Sequence, residues 1–542
     1  MKPRIENVHS DQEAADKFSI FFADTCSPNN PVFNRIKKDE FLDKLAHYRG
    51  DSFTTNRFHI NAEVVGLSFA KLSAGKSPGC DGLTTEHLIN CHPVVFVILA
   101  KLFNLMLKYS HVPSDFERGI TIPIPKNESS RGAHPISSFR GITLSPILSK
   151  VFEHCILLIF SKYLVTSNTQ FGFKSNSGCS HAIYCLSNIV DYFVSHDSTV
   201  NLCFLDLSKA FDKINHSVLM LKLMKRNLPK CLIKLLYCWY SLSNNVVRWG
   251  DALSKPYCLT SGVRQGSVIS PALFSIYVDE LLNKFKSYGC TFHGLSVSAL
   301  MYADDLVLLS SSINELQLML DMCCNELMTL DLCLNYDKSV AMRIGKGCNR
   351  MCCNLKAMGH IIKWVTEAKY LGIYIRCGQK LTCNFDKQKA KFYRAANCIF
   401  AKLGNLDNIP VTLHLVHAIA LPSLTYGLEA LQLTKTQLLS IEHAWSRMFM
   451  KLFKTFNSAI IQQCQYFCDL LPIRHIYTLH RMHFLNKVDD STNSLVHHIY
   501  QFQSLKHDVV LNLSETYKCS KLIFTHSYNS VVRSHFKFES FP

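Results

Sequence analysis

Two apolar, strand-forming runs of this chain carry bare carboxylates: Tyr302-Ala303-Asp304-Asp305 stands inside SALMYADDLVLLS, and Asp206 inside LCFLDLSKAFD. Burying a carboxylate among β-formers is costly unless a cation neutralises it, and hard oxygen donors suit divalent ions. The two segments therefore read as neighbouring strands that jointly hold metal ions. A metal-dependent phosphoryl-transfer enzyme is the class this arrangement implies.

Length and charge bound the setting. A chain of 542 residues is too long for one simple core, so roughly two to four subdomains are expected, and 48% hydrophobic residues suffice to fill them. The formal net charge of +17 implies a polyanionic partner, although the same excess also keeps a hydrophobic chain soluble. The 23 cysteines, among them Cys155, Cys185, Cys203 and Cys398, are scattered through apolar runs without repeated C-x-x-C pairs, as reduced, buried thiols inside a cell would be. Cys464 and Cys468 followed by His475 and His480 have a zinc-like spacing, but His480 and His483 also fit a helix through IRHIYTLHRMHFL, which is the expectation. The N-terminus is polar, without a signal peptide. The apolar stretches VVFVILAKLFNLML and CILLIFSKYL are interrupted by lysines and too short to cross a bilayer. No membrane association is expected, and the location is intracellular, nuclear or cytoplasmic.

Along the chain, DQEAADKFSIFFADT has helical periodicity from residue 11 to about 25, and CSPNNP breaks it. A second amphipathic segment, 61–74, runs into the loop GKSPG, followed by helices at Glu86–Asn90 and Val94–Tyr109. GITIPIP (119–125) reads as a strand with proline at its edge, and the polar loop KNESSRGAHPISS leads to another strand at Gly141–Leu144. From about 201 to 376 the β runs LCFLDLS, SALMYADDLVLLS, KSVAMRIG and AKYLGIYI alternate with the helices HSVLMLKLMKRN, SPALFSIYVDELLNKF and INELQLMLDMCCNELMTLD. That order is expected to build one antiparallel sheet with helices on its back. Past Gly378 the pattern turns helical, and DKQKAKFYRAANCIFAKLGNL carries basic residues on one face.

FLDLSKAFDKI, SGVRQGSVISPALF, YADDLVLL, LNYDKSVAM and YLGIYI occur in the order and approximate spacing of the sequence blocks of reverse transcriptases, and their wording resembles LINE-type, non-LTR retrotransposon enzymes. SPGCDGLTTEHL, FRGITLSPILSKVFE and QFGFKSNSGC resemble the additional finger blocks of the same elements. The resemblance covers roughly residues 60 to 405. It implies an α+β, right-hand polymerase fold with fingers, a ferredoxin-like palm and a helical thumb. The expected divisions are an N-terminal helical leader (1–60), fingers (61–200), palm (201–376), thumb (377–460) and a C-terminal helical extension of unassigned role (461–542). The implied activity is RNA-directed DNA polymerisation, in which a DNA primer is extended on an RNA template from deoxynucleoside triphosphates. The alternative is a catalytically silent, nucleic-acid-binding remnant of such an element.

The resemblance also assigns residues. Two Mg²⁺ ions, with Mn²⁺ able to substitute, are expected on Asp206 and Asp304, with the Leu207 carbonyl completing the shell and Asp305 serving on the metal or beside it. Phe211 falls at the position of the sugar gate, where an aromatic ring under C2′ leaves no room for a 2′-hydroxyl. Asp212 is expected to cap the following helix rather than bind metal. Gln265 matches the block that contacts the incoming base and sugar, Gly266 permits close backbone approach, and Arg140 resembles the arginine that holds the triphosphate. Lys338 matches the lysine that protonates the departing pyrophosphate, and Tyr370, Leu371 and Gly372 resemble the primer-gripping hairpin. Some sixty residues precede the first matching block, and no nuclease-like acidic cluster, zinc knuckle or ribonuclease H set is visible. A polymerase fragment of a mobile element, using an endonuclease from elsewhere, is therefore expected.

Overall fold

Ser10 accepts the backbone N–H of Glu13 and opens the helix Asp11–Thr25, satisfying a donor that would otherwise be orphaned at the helix start. Asn30 opens Pro31–His47 in the same way, with proline in the first turn. The computed structural model describes residues 3–6, 8–51, 58–126, 133–403 and 408–502. Half of the polar loop KNESSRGAHPISS, and the C-terminal extension past Phe502, lie outside the described residues.

The strands run in chain order as β1 (Arg118–Pro125), β2 (Phe139–Leu144), β3 (Thr199–Asp206) and β4 (Asn244–Trp249). Short strands follow at β5 (Ala252–Leu253), β6 (Tyr257–Cys258), β7 (Cys290–Phe292) and β8 (Leu295–Val297). Next come β9 (Ala299–Tyr302), β10 (Asp305–Ser310), β11 (Val340–Gly345), β12 (Leu355–Ala357) and β13 (His360–Trp364). The last are β14 (Glu367–Tyr370), β15 (Ile373–Arg376) and β16 (Thr382–Cys383). The chain divides into two units, the first drawn from Met1–Phe173, Asp206–Lys284 and Leu320–Asn335, the second from Lys174–Leu205, Phe285–Met319 and Tyr336–Pro542.

The first unit is built on the sheet β2-β1-β4-β5, with β6 also paired to β4. β4 pairs with β1 only over Arg118–Thr121, so Pro123 and Pro125 fall where that side of the strand has no ladder to donate to. Phe18 and Phe22 of the first helix pack on this sheet, Phe18 lying 5.0 Å from the Phe139 ring and 5.2 Å from Trp249. A second core joins the helix Val94–Tyr109 to the helix Ile147–Ile159, where the fully buried rings of Phe103 and Phe152 meet at 4.9 Å.

In the second unit six strands lie in the order β12-β13-β11-β3-β10-β9. The expected single antiparallel sheet needs two corrections. β11 and β13 pair in parallel, because a crossover through β12 brings the chain back in the same direction. AKYLGIYI is not one strand of this sheet: Leu371 and Gly372 both take positive φ and fold it into the β14–β15 hairpin of a separate three-stranded sheet with β16. The helix Cys179–Ser195 packs on β9 and β11.

The helix Asp386–Leu403 displays lysines and arginine, Lys387 lying 3.8 Å over the Tyr374 ring, while Phe392 is buried toward Trp445. Cys155, Cys185 and Cys203 are buried as expected, but Cys398 is exposed on this helix. His475, His480 and His483 lie on one helix, Ile473–Asp489. Among the described residues one helical stretch, Ile409–Ala430, is long and apolar enough to cross a membrane, and half of it is buried inside the protein. A π-turn at Val416–Ala420 interrupts that stretch.

Phe103→Ala should destabilise the protein by about 3–5 kcal/mol, the loss for emptying an aromatic site that cannot collapse. Chemical denaturation followed by tryptophan fluorescence checks this.

Candidate active site

The carboxylate-bearing turn is set by strand register. Tyr302 pairs with Asp305 across β9 and β10, which leaves Ala303 and Asp304 as a two-residue turn. Ala303 has φ 57°, whereas Asp304 does not enter that region, the signature of the type II′ turn that suits the right-handed twist of a hairpin. Glycine is the easy residue at the first position, so Ala303 holds a strained backbone there while its side chain is buried. Asp304 is half-buried and Asp305 exposed. Asn201 Nδ2 near the start of β3 donates to the Ser310 carbonyl at the end of β10 (3.1 Å), so the two neighbouring strands run antiparallel. The last residue of β3, Asp206, is therefore carried to the sheet edge at which β10 begins.

The β14–β15 hairpin turns on Leu371 (φ 44°) and Gly372 (φ 88°), a type I′ geometry with both central residues left-handed. A Cβ on Gly372 would lie 2.7 Å from the Tyr426 ring, and the Tyr426 hydroxyl donates to the Leu371 carbonyl at 3.0 Å. The glycine thus admits Tyr426, a residue the sequence blocks do not single out. Cys179 lies against both Tyr302 and Tyr426; burial foremost, and the thiol next, pushes the Tyr302 hydroxyl up to about 12 and raises that of Tyr426. Tyr370 is buried beside the Phe204 ring, and its hydroxyl is pushed well up, chiefly by burial and next by the charge of Asp305. The structure therefore brings Tyr370 and Asp305 into electrostatic range. Lys338 stands in an exposed turn just before β11.

In the first unit, Asn335 N donates to the Asp206 carbonyl (2.8 Å) and Ser208 N to the Cys333 carbonyl (2.9 Å), flanking the Leu207–Leu334 bridge. In such a narrow pair the bridged residue's own carbonyl faces away from its partner, so the Leu207 oxygen is turned out of this ladder. Phe211 stacks on Phe274 at 4.4 Å and 13°, with Phe173 edge-on at 5.7 Å. Its ring is held in place but only half-buried, unlike an ordinary core phenylalanine.

Gln265 is clamped twice: its carbonyl accepts from Thr143 N at 2.7 Å, and its Nε2 donates to Asp212 Oδ1 at 2.7 Å. Gly266 (φ 126°) lies so close to the Thr143 carbonyl that any side chain would collide with it, so the close approach expected of this glycine is made to β2. Asp212 does not cap the next helix; Asn215 does, accepting from Val218 N. Burial raises the Asp212 carboxyl, while the Gln265 hydrogen bond and then Lys209, Lys126 and Arg140 oppose that shift. Lys126 and Lys209 thus join Arg140, exposed on β2, in a basic neighbourhood of which the motif marks the arginine alone.

Two further buried charges hold the Gln265 loop. Arg264 donates to the carbonyls of Phe116 (2.9 Å) and Glu117 and to Ser243 Oγ (3.0 Å), and Glu153 accepts the backbone N–H groups of Val268 and Ile269. Burial raises the Glu153 carboxyl. In the sequence Glu153 is the last residue of FRGITLSPILSKVFE, a charge on the otherwise apolar run VFEHCILLI.

Among the described residues no three His, Cys, Asp or Glu side chains converge as a ready-made metal cage. A hard divalent cation that keeps its waters and takes one or two carboxylates along with substrate phosphates does not need one. The donors here are carboxylate and carbonyl oxygens, which fit such an ion.

Residues 124–375 match the family model for reverse transcriptase (RNA-dependent DNA polymerase). The elements that carry this stretch are mixed α+β, and the family it matches generally uses divalent metal ions. The curated proteins that the chain resembles across this region are named for retrotransposable and mobile elements. It is 26% identical over 327 residues to the Retrovirus-related Pol polyprotein from type-2 retrotransposable element R2DM of Drosophila melanogaster, covering 59% of this chain and 30% of that protein. It is 25% identical over 390 residues to the RNA-directed DNA polymerase from mobile element jockey of the same species, covering 68% and 41%. The chain thus spans less than half the length of these relatives. Apo telomerase from Candida tropicalis shares 12% identity at a TM-score of 0.39, over 82% of this chain and 74% of that one.

Ala303→Val should cost at least ~1–2 kcal/mol, because a β-branched residue is a poor occupant of positive φ, whereas Ala303→Gly should leave stability equal or higher. Thermal unfolding of the two variants side by side checks the turn geometry.

Proposed function

We propose that the chain is an RNA-directed DNA polymerase that extends a DNA 3′-hydroxyl on an RNA template, taking deoxynucleoside triphosphates as substrate. The observation that carries this reading is the sheet edge where β3 delivers Asp206 and the strained β9–β10 turn presents Asp304 and Asp305. Residues 61–200 are read as fingers, 201–376 as palm and 377–460 as thumb, the last presenting its basic helix to template and primer.

Asp206, Asp304 and the Leu207 carbonyl would hold two Mg²⁺ ions, with Asp305 beside them. Bound there, the ions would lower the pKa of the primer hydroxyl and neutralise the triphosphate and departing pyrophosphate. The protein's own groups do the rest. Arg140, with Lys126 and Lys209, attracts the triphosphate, a guanidinium fork matching phosphate oxygens. Gln265 meets the nucleotide, and the Phe211 ring, held by Phe274, excludes a 2′-hydroxyl. Lys338 serves as the proton donor to pyrophosphate, and Tyr370-Leu371-Gly372, with Tyr426 behind it, steadies the primer end.

Primer extension on an RNA template with Mg²⁺ and purified protein tests this directly. Asp304→Asn should lower extension by about 10³-fold or more while template–primer binding persists, since it removes charge stabilisation rather than the basic surface. Wild-type-like extension by this variant would sink the assignment. Phe211→Val should admit ribonucleotides while keeping much of the deoxyribonucleotide activity, because it opens space beneath C2′ and leaves the carboxylates alone. Single-nucleotide incorporation with each sugar checks this, and unchanged discrimination would return Phe211 to a packing role.

A further inference from the structure

Asp212 takes no part in the chemistry proposed above, yet it is a half-buried residue whose carboxyl burial pushes up, with the Gln265 hydrogen bond and then Lys209, Lys126 and Arg140 opposing that shift. A residue kept only to neutralise those cations would be expected to pair with the adjacent one. Lys209 instead donates to Thr25 Oγ1 at 3.2 Å and lies 5.3 Å over the Phe21 ring. The hydrogen bond the carboxylate does make is to the side-chain amide of Gln265.

Resting on the polymerase reading, we infer that Asp212 is a positioning residue that turns the Gln265 amide oxygen toward the incoming deoxynucleotide, so that Gln265 meets its substrate as a hydrogen-bond acceptor. The Gln265 Nε2 donates to Asp212 Oδ1 at 2.7 Å, so the amide nitrogen faces Asp212 and the oxygen faces elsewhere. The main chain cannot swing to undo this. The Gln265 carbonyl is tied to Thr143 N, Gly266 is seated against the Thr143 carbonyl, and Arg264 and Glu153 fix the loop on either side. The side chain is half-buried, leaving part of the amide at the surface while its nitrogen is anchored inside. A free glutamine offers either end of its amide, whereas this one is committed to one end before substrate arrives.

A swap of the pair tests the inference, with KM and kcat for deoxynucleotide incorporation measured at pH 8 on an RNA template. Gln265→Glu alone should lower kcat/KM by about 100-fold, mainly through KM, because two carboxylates would face each other at hydrogen-bond distance. Adding Asp212→Asn should recover at least about tenfold of that loss, since the amide introduced at position 212 donates inward and one oxygen of the carboxylate introduced at position 265 again points out as acceptor. A double variant no better than Gln265→Glu, or a Gln265→Glu variant as active as wild type, would overturn the inference. Should those variants fail to fold by circular dichroism, Gln265→Met with Asp212 intact decides. A KM raised about tenfold with kcat largely kept supports the acceptor role, and an unchanged KM overturns it. Wild-type protein that incorporates no deoxynucleotide at all would sink the polymerase reading itself, a separate outcome.

Discussion

The arrangement depends on placing carboxylates at the edge of an apolar sheet without burying them. Within β3 and β10 nearly every residue before Asp206 and after Asp305 is buried, and the carboxylates sit at the strand ends. Had the register slipped by one, the pairing of Tyr302 with Asp305 would be lost and an aspartate driven into the core at a cost of several kcal/mol. The positive φ of Ala303 is the local cost of that placement, and the hydrophobic packing of Leu306, Val307, Leu308 and Leu309 holds it.

A second use of charge runs through the first unit. Glu153 and Arg264 are buried and Asp212 half-buried, and each is matched to backbone or amide groups. Such groups are poor stabilisers compared with apolar replacements, but removing one partner leaves the other stranded. Their common target is the loop from Arg264 to Ile269. A glycine-containing loop that must present Gln265 in one orientation has little packing of its own, and directional hydrogen bonds supply what packing does not.

Motif reading and structure diverge where distance along the chain stops predicting proximity. The helices Asp11–Thr25 and Val94–Tyr109 and the β1 and β2 strands were legible because each rests on local periodicity and breakers. Alternation alone makes AKYLGIYI a strand run, and the hairpin at Tyr370-Leu371-Gly372 follows only from the resemblance, because nothing local reveals that Leu371 takes positive φ, a conformation leucine rarely adopts. Asp212 departs from the expected cap because Asn215, immediately before His216, takes that role. Tyr426 lies outside the sequence blocks, and Cys179 and Glu153 end two of them without a role to mark them, because the importance of all three lies in partners far away in the chain.

By itself the sequence determined the class of protein, the order of the blocks, the identity of the candidate carboxylates and most secondary structure, because these follow from residue chemistry and short-range period. Tertiary structure alone decided that β3 and β10 are antiparallel neighbours, that Gly266 and Gly372 serve Thr143 and Tyr426, and that Gln265 is held by Asp212. The physical reason is that strand pairing, close backbone approach and buried hydrogen bonds are chosen by the fold as a whole, where an unpaired group costs more than any local preference can return.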